Sequence, residues 1–197
     1  MDALDLIADV LELDGLQLSI LRPREAEALL SEEAFERDEF LPYWAEVWPS
    51  GVALARVVHG RALGGLRVLE LGCGLGLPSV VASLGGAHVL ATDWSADALD
   101  VTAANAERNG AELETALVSW AEPARLLERA PWDLVLAADV LYERRNVDQL
   151  LSLLPGLGHE ILIVEPGRPP AARFFEETDL AVTALPDRVY RLTARGP

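Results

Sequence analysis

Apolar positions along the chain follow two rhythms. From about residue 50 onward, short continuous apolar runs alternate with stretches whose apolar residues return every three or four positions. The runs are "LRVLEL" (66–71), "AHVLATD" (87–93), "ETALVSW" (114–120), "DLVLAAD" (133–139) and "EILIVEP" (160–166). Runs of this length read as buried strands. Between them lie helical patterns over 50–59, from Pro78 to Gly85-Gly86, from Ser95 to about Asn109, and over 122–130, 145–154 and 169–177. Ser50 and Ser95 stand where helix caps are expected, and Pro78 stands where a helix begins. Two more strand patterns, "LAVTAL" (180–185) and "RVYRLTA" (188–194), close the chain around the turn "LPDR". So short a connection cannot carry a parallel crossover, so the last strand is expected to run antiparallel. Strands alternating with helices give an α/β fold, a doubly wound, mostly parallel seven-stranded sheet with an antiparallel last strand.

The first 45 residues pattern differently. Leu4, Ile7, Ala8 and Leu11 share a helical face, so 2–13 reads as a short acidic helix. "LQLSIL" (16–21) alternates as a strand, and "REAEALLSEEAFERDEF" (24–40) reads as helix and acidic loop. The expectation is a single domain, with an N-terminal helical and strand extension over 1–45 and the core over 46–197.

Charge narrows the partners. Sixteen basic residues, all arginine, face thirty-two acidic ones, for a net charge of −16, and lysine is absent. Such a chain repels phosphate backbones, which argues against nucleic acid and favours a cationic partner; an acid excess that serves only solubility is the alternative. No apolar run reaches the roughly 20 residues of a membrane span. The N-terminus carries acids where a secretion signal needs a basic start, so a cytoplasmic protein is expected. Cys73 stands alone, and His59, His88 and His159 lie far apart, so neither a disulfide nor a metal site is expected.

The stretch "LELGCGLG" (69–76) sets glycines at 72, 74 and 76 directly after an apolar run. In an open α/β sheet the ligand lies beyond the carboxyl ends of the strands, and bare backbone there lets it approach closely. Asp93 ends the next run, twenty-one residues after Gly72, where an acid binds ribose hydroxyls. Dinucleotide folds space their glycines G-x-G-x-x-G. Here the position that should hold the third glycine is Leu77, and the glycine falls at 76.

With Glu70 before it, "LELGCGLG" resembles motif I of the class I methyltransferases dependent on S-adenosylmethionine (SAM), which share a Rossmann-like sheet with a reversed last strand. Three further stretches are similar to protein lysine methyltransferases with a D-x-x-[YF] signature. They are "LPYWAEVWPSGVALA" (41–55), "WDLVLAADVLYE" (132–143) with Asp139-x-x-Tyr142, and "IVEPGRP" (163–169). Among these enzymes the segments most resemble the electron-transfer flavoprotein β-subunit lysine methyltransferases. Ser50 stands where that group has the first glycine of "WPGG".

The resemblance implies SAM as cofactor, S-adenosylhomocysteine as product, and a lysine of a protein, such as the electron-transfer flavoprotein β subunit, as methyl acceptor. It implies that Gly72, Cys73, Gly74 and Gly76 admit the amino-acid part of SAM beside Glu70, that Asp93 takes the ribose, and that Trp48 forms a wall. Trp94 would stack on the adenine, while Ser119 and Trp120 read its edge. Asp139, beside the cofactor, and Tyr142 would hold the incoming amine. Core packing is the alternative for Trp94 and Trp120, and helix capping for Asp139; the Cys73 side chain reads as a packing group. Glu46 binds a cationic target or stays solvated, and Arg168 lies at the rim or pairs with an acid such as Glu165. Two other functions fit the same residues, a small-molecule amine N-methyltransferase and a non-catalytic SAM-binding protein.

Overall fold

The structure, a computed structural model, describes residues 4–29 and 42–196. The acidic stretch "SEEAFERDEF" lies outside the described residues. Among the described residues nine strands form two sheets. The first two, β1 (Leu6–Leu13) and β2 (Leu16–Pro23), pair antiparallel as a hairpin. The helix expected over 2–13 is therefore not formed. Asp14 and Gly15 take φ of 49° and 91°, the positive values that a two-residue hairpin turn requires. The turn sets Leu13 opposite Leu16 and Leu11 opposite Leu18. Leu13, Leu18 and Ile20 then point together into the core, and this burial outweighs the weaker helical spacing upstream.

The seven-stranded sheet has the order β5-β4-β3-β6-β7-β9-β8. Its strands are β3 (Arg67–Leu71), β4 (His88–Asp93), β5 (Glu114–Leu117), β6 (Trp132–Ala138), β7 (Gly158–Val164), β8 (Ala181–Ala184) and β9 (Val189–Thr193). Pairing is parallel from β5 through to β7, while β9 runs antiparallel to both β7 and β8. The expected reversed last strand is present, inserted between β7 and β8.

Among the described residues six α-helices connect the strands: α1 (Pro49–His59), α2 (Leu77–Leu84), α3 (Ala96–Arg108), α4 (Ala124–Leu127), α5 (Arg144–Leu153) and α6 (Ala171–Glu177). Alternate strand residues divide the core. Val68, Leu134, Leu136 and Leu162 pack with α1, α2, α3 and the hairpin, whereas Leu69, Val135, Ala137 and Ile161 face α4, α5 and α6. Both faces are thus covered, as a parallel sheet demands. Ser95 caps α3 by accepting the Ala98 N–H at 3.3 Å. Ser50 does not cap α1: Trp48 holds that position, Pro49 opens the helix, and Ser50 is buried inside the first turn. Among the described residues no helix is long and apolar enough to cross a membrane.

Asn105 on α3 and Asn109, which caps its C-terminus, dock the hairpin. Asn109 accepts the Ser19 N–H at 2.9 Å and donates to the Ser19 carbonyl at 2.9 Å. Asn105 treats Leu21 the same way, at 2.6 and 3.1 Å. Each amide side chain substitutes for a neighbouring strand along the outer edge of β2. Asn105 also donates to the Leu75 carbonyl at 2.9 Å, which ties the hairpin to the glycine loop.

Candidate active site

At the carboxyl ends of the parallel strands a cavity of about 560 Å³ opens. The loop after β3 forms its floor. Gly74 has φ of 55°, and a Cβ there would lie 3.3 Å from the Trp44 carbonyl oxygen. Gly76 has φ of 76° and caps α2, and its Cβ would come within 2.5 Å of the Thr102 methyl. Side chains are excluded at both positions, for different reasons. Gly72, Cys73 and Gly74 border the cavity, whereas Gly76 does not: it lets the loop close against α3. Gly76 thus packs behind the cavity lining, against Thr102.

Two buried carboxylates flank this loop. Glu70, on β3, accepts the Ser79 backbone N–H at 2.9 Å and the Ser79 hydroxyl on one oxygen. Burial pushes its carboxyl up to about 8. Asp93 closes β4. Its Oδ2 accepts the Gly74 N–H at 2.9 Å and its Oδ1 accepts the Ser95 N–H at 3.0 Å. Burial raises this carboxyl too, while those backbone donors pull it down. The Cys73 thiol is buried, 3.5 Å from the Thr102 hydroxyl, and burial pushes it up, so it sits as an unreactive packing group.

Trp94 borders the cavity beside Asp93 and is 43 % exposed, so it is not a core residue. Strand β5 ends at Leu117, and Ser119 and Trp120 lie in the turn beyond it, still on the cavity wall. The indole edge of Trp120 would lie 3.5 Å from a Cβ at Gly72. Trp48 forms the opposite wall, and its indole N–H donates to the Tyr43 carbonyl at 2.6 Å. Glu46 borders the same space and is exposed.

Asp139 and Tyr142 follow β6 and line the same cavity. Asp139 has φ of 54°, a left-handed conformation that is strained for a residue with a Cβ. Its backbone N–H donates to the Val164 carbonyl at 2.8 Å, which holds the turn. It does not cap the next helix, because Glu143 occupies that position. Its carboxylate faces Arg168, which donates through Nε at 2.8 Å and Nη2 at 2.7 Å. The expected ion pair of Arg168 exists, with Asp139 and not Glu165 as partner. Glu165 instead accepts the backbone N–H groups of Gly167 and Arg168 on Oε1, which shapes the loop that carries the guanidinium.

Tyr142 is half-buried, and burial pushes its phenol up to about 12, so it stays protonated at neutral pH; Asn146, which donates to the Val140 carbonyl at 3.1 Å, lies beside it. Its ring meets Tyr43 edge-on at 5.5 Å, and Tyr43 meets Trp48 at 6.2 Å. The sequence reading missed Tyr43, Asn146 and the two hairpin residues Leu11 and Ile20, which also border the cavity. Among the described residues no group of three His, Cys, Asp or Glu side chains could hold a metal ion.

Comparison with known proteins bears on this arrangement. Residues 38–169 match the lysine methyltransferase family, which covers more than half of the chain. The chain belongs to the lysine methyltransferase family. Over 136 residues it is 36 % identical to the electron transfer flavoprotein beta subunit lysine methyltransferase of Xenopus laevis, an alignment spanning 64 % of this chain and 53 % of that protein. Over 120 residues it is 32 % identical to the human histone-arginine methyltransferase METTL23, spanning 58 % of this chain and 63 % of that one. The chain thus spans about half to two-thirds of the length of these relatives. In fold it is similar to a T. thermophilus 16S rRNA methyltransferase solved with AdoMet and guanosine. The TM-score is 0.68 at 14 % identity, over 96 % of this chain and 51 % of the other. The family's match covers the glycine loop, Asp93, Asp139-x-x-Tyr142 and Arg168, and stops short of the hairpin.

Proposed function

We propose that the chain is a SAM-dependent methyltransferase that modifies lysine side chains of a protein. One observation carries the reading: a single cavity joins the glycine loop and Asp93 to Asp139 and Tyr142. The residues suit SAM. The cavity lies in the range of small-molecule and cofactor sites. Glu70 and Asp93 are acids on either side of a loop whose backbone is bare, which suits a ligand that bears a cationic amino group and a ribose diol. Glu70, Gly72 and Gly74 would hold the amino-acid part, Asp93 the ribose, and Trp94 and Trp120 the adenine. SAM, when bound, supplies an electrophilic methyl group.

The chain's own residues would then bring the amine into line and keep water away. A free lysine amine has a pKa of about 10.4 and arrives protonated. Asp139 would receive the ammonium, and the Tyr142 oxygen would accept a hydrogen bond from the same nitrogen. Asp139 then orients the amine, and the proton departs to water. The acceptor would be a protein such as a homologue of the electron-transfer flavoprotein β subunit. A small-molecule amine is the second reading, favoured by the hairpin residues Leu11 and Ile20 that wall the cavity.

Calorimetric titration with S-adenosylhomocysteine and, separately, with NAD tests the cofactor. Saturable binding of the first alone is expected. Binding of NAD alone would overturn the reading.

A further inference from the structure

Asp139 is already occupied by a cation. Both its oxygens are bonded by the Arg168 guanidinium, at 2.8 and 2.7 Å, with the carboxylate side chain 9 % exposed and the arginine 39 % exposed. The guanidinium carbon also lies 5.8 Å from the centre of the Trp48 ring. Tyr43 packs against Trp48 and Tyr142, and these rings line the same cavity as the carboxylate. A carboxylate beside aromatic faces is the chemistry that holds an organic cation. The chain fills this seat with its own side chain.

Resting on the methyltransferase reading, we propose that this seat is the receptor for the substrate amine, and that Arg168 is a resident cation that the incoming ammonium displaces. The guanidinium takes one hydrogen-bonding position on each oxygen and its positive charge repels a second cation, so an ammonium that uses Asp139 competes with Arg168 for it. Exchange is easy on the arginine side. The guanidinium end of the pair is 39 % exposed, so water can solvate it once released, and a long side chain changes rotamer quickly. The backbone need not move, because Glu165 holds the Gly167 and Arg168 N–H groups independently of the guanidinium. The other Glu165 oxygen, Oε2, is buried without a hydrogen-bond partner and belongs to the same turn as Arg168, so it offers the displaced guanidinium a second acceptor. Arg168 thereby sets specificity: only a cation able to compete with a bidentate guanidinium gains Asp139.

The test uses n-butylammonium chloride as the probe, titrated into the whole protein and followed through the Trp48 indole N–H resonance, with potassium chloride as the ionic control. Wild type, Arg168→Ala and Arg168→Gln are compared, and melting temperatures confirm folding. The seat predicts that both variants bind the probe at least about tenfold more tightly than wild type. It also predicts that Asp139→Asn added to either variant cancels the gain. Equal or weaker binding in both variants overturns the proposal and makes Arg168 a support for Asp139. A gain that survives Asp139→Asn overturns it as well. Titration of S-adenosylhomocysteine into the same samples judges the methyltransferase reading separately, since the amine result does not depend on it.

Discussion

Glu70 and Ser79 form a buried pair in which one carboxylate oxygen accepts both the backbone N–H and the hydroxyl of the serine. The pair joins the end of β3 to the first turns of α2, across the glycine loop. Two donors are not enough to offset burial, and the carboxyl is pushed up to about 8.

That shift has a sign for stability. The folded state holds the Glu70 proton more tightly than the unfolded chain does. Its contribution is complete below the ordinary value of 4.5 and is lost as pH rises through about 8. Melting temperature in the protein without ligand should therefore fall between these limits. Glu70→Gln should flatten the fall and leave the variant more stable than wild type at alkaline pH. The same slope in both proteins would contradict the assigned shift.

Asp93→Asn should weaken S-adenosylhomocysteine binding. Loss of a hydrogen bond to a charged acceptor costs about 1.5–3 kcal/mol, or roughly ten- to a hundredfold in affinity. Because the Gly74 and Ser95 N–H groups also lean on this carboxylate, amide exchange in the loop should quicken too. Unchanged affinity by calorimetry would remove Asp93 from the ligand.

Gly76→Ala should cost stability more than affinity. The new methyl would meet Thr102 within 2.5 Å at a positive φ, a combination worth about 1–3 kcal/mol in urea unfolding. Gly74→Ala, whose methyl would meet the Trp44 backbone beside the cavity, should instead lower ligand affinity. A reversed order of effects would place Gly76 at the ligand.

Asn105→Ala should release the hairpin. It strands the Leu21 N–H and the Leu21 and Leu75 carbonyls, at about 1–3 kcal/mol for each group left buried and unpaired. Hydrogen exchange should show the Leu21 amide losing protection while the amides of β6 keep theirs. Unaltered Leu21 protection would mean that the hairpin docks by apolar packing alone.

These features divide by how far apart their parts lie in the chain. The seven strands and six helices were legible because each carries its signal in its own apolar spacing, and the glycine loop with Asp93 because their spacing is local to one βαβ unit. The hairpin was also written in the sequence, in Asp14-Gly15 between alternating Leu11, Leu13, Leu16 and Leu18, but the helical face of Leu4, Ile7, Ala8 and Leu11 competes with it. Ser50 follows the capping preference yet yields to Pro49, which opens the helix itself. Asp139 with Arg168, and Ser19 with Asn109, pair residues 29 and 90 positions apart, and no spacing rule links them. Such contacts arise only when the sheet brings loops from different strands together.

Methyl transfer to lysine on another protein can be measured directly. The direct measurement incubates the purified protein and methyl-labelled SAM with a lysate from cells lacking it, then hydrolyses the labelled macromolecules and separates their amino acids. Because the chain contains no lysine, labelled methyl-lysine cannot come from its own side chains. Label is expected in methyl-lysine from a protein other than this one, abolished by Asp139→Ala. Label confined to methyl-arginine, or to small molecules alone, would contradict it.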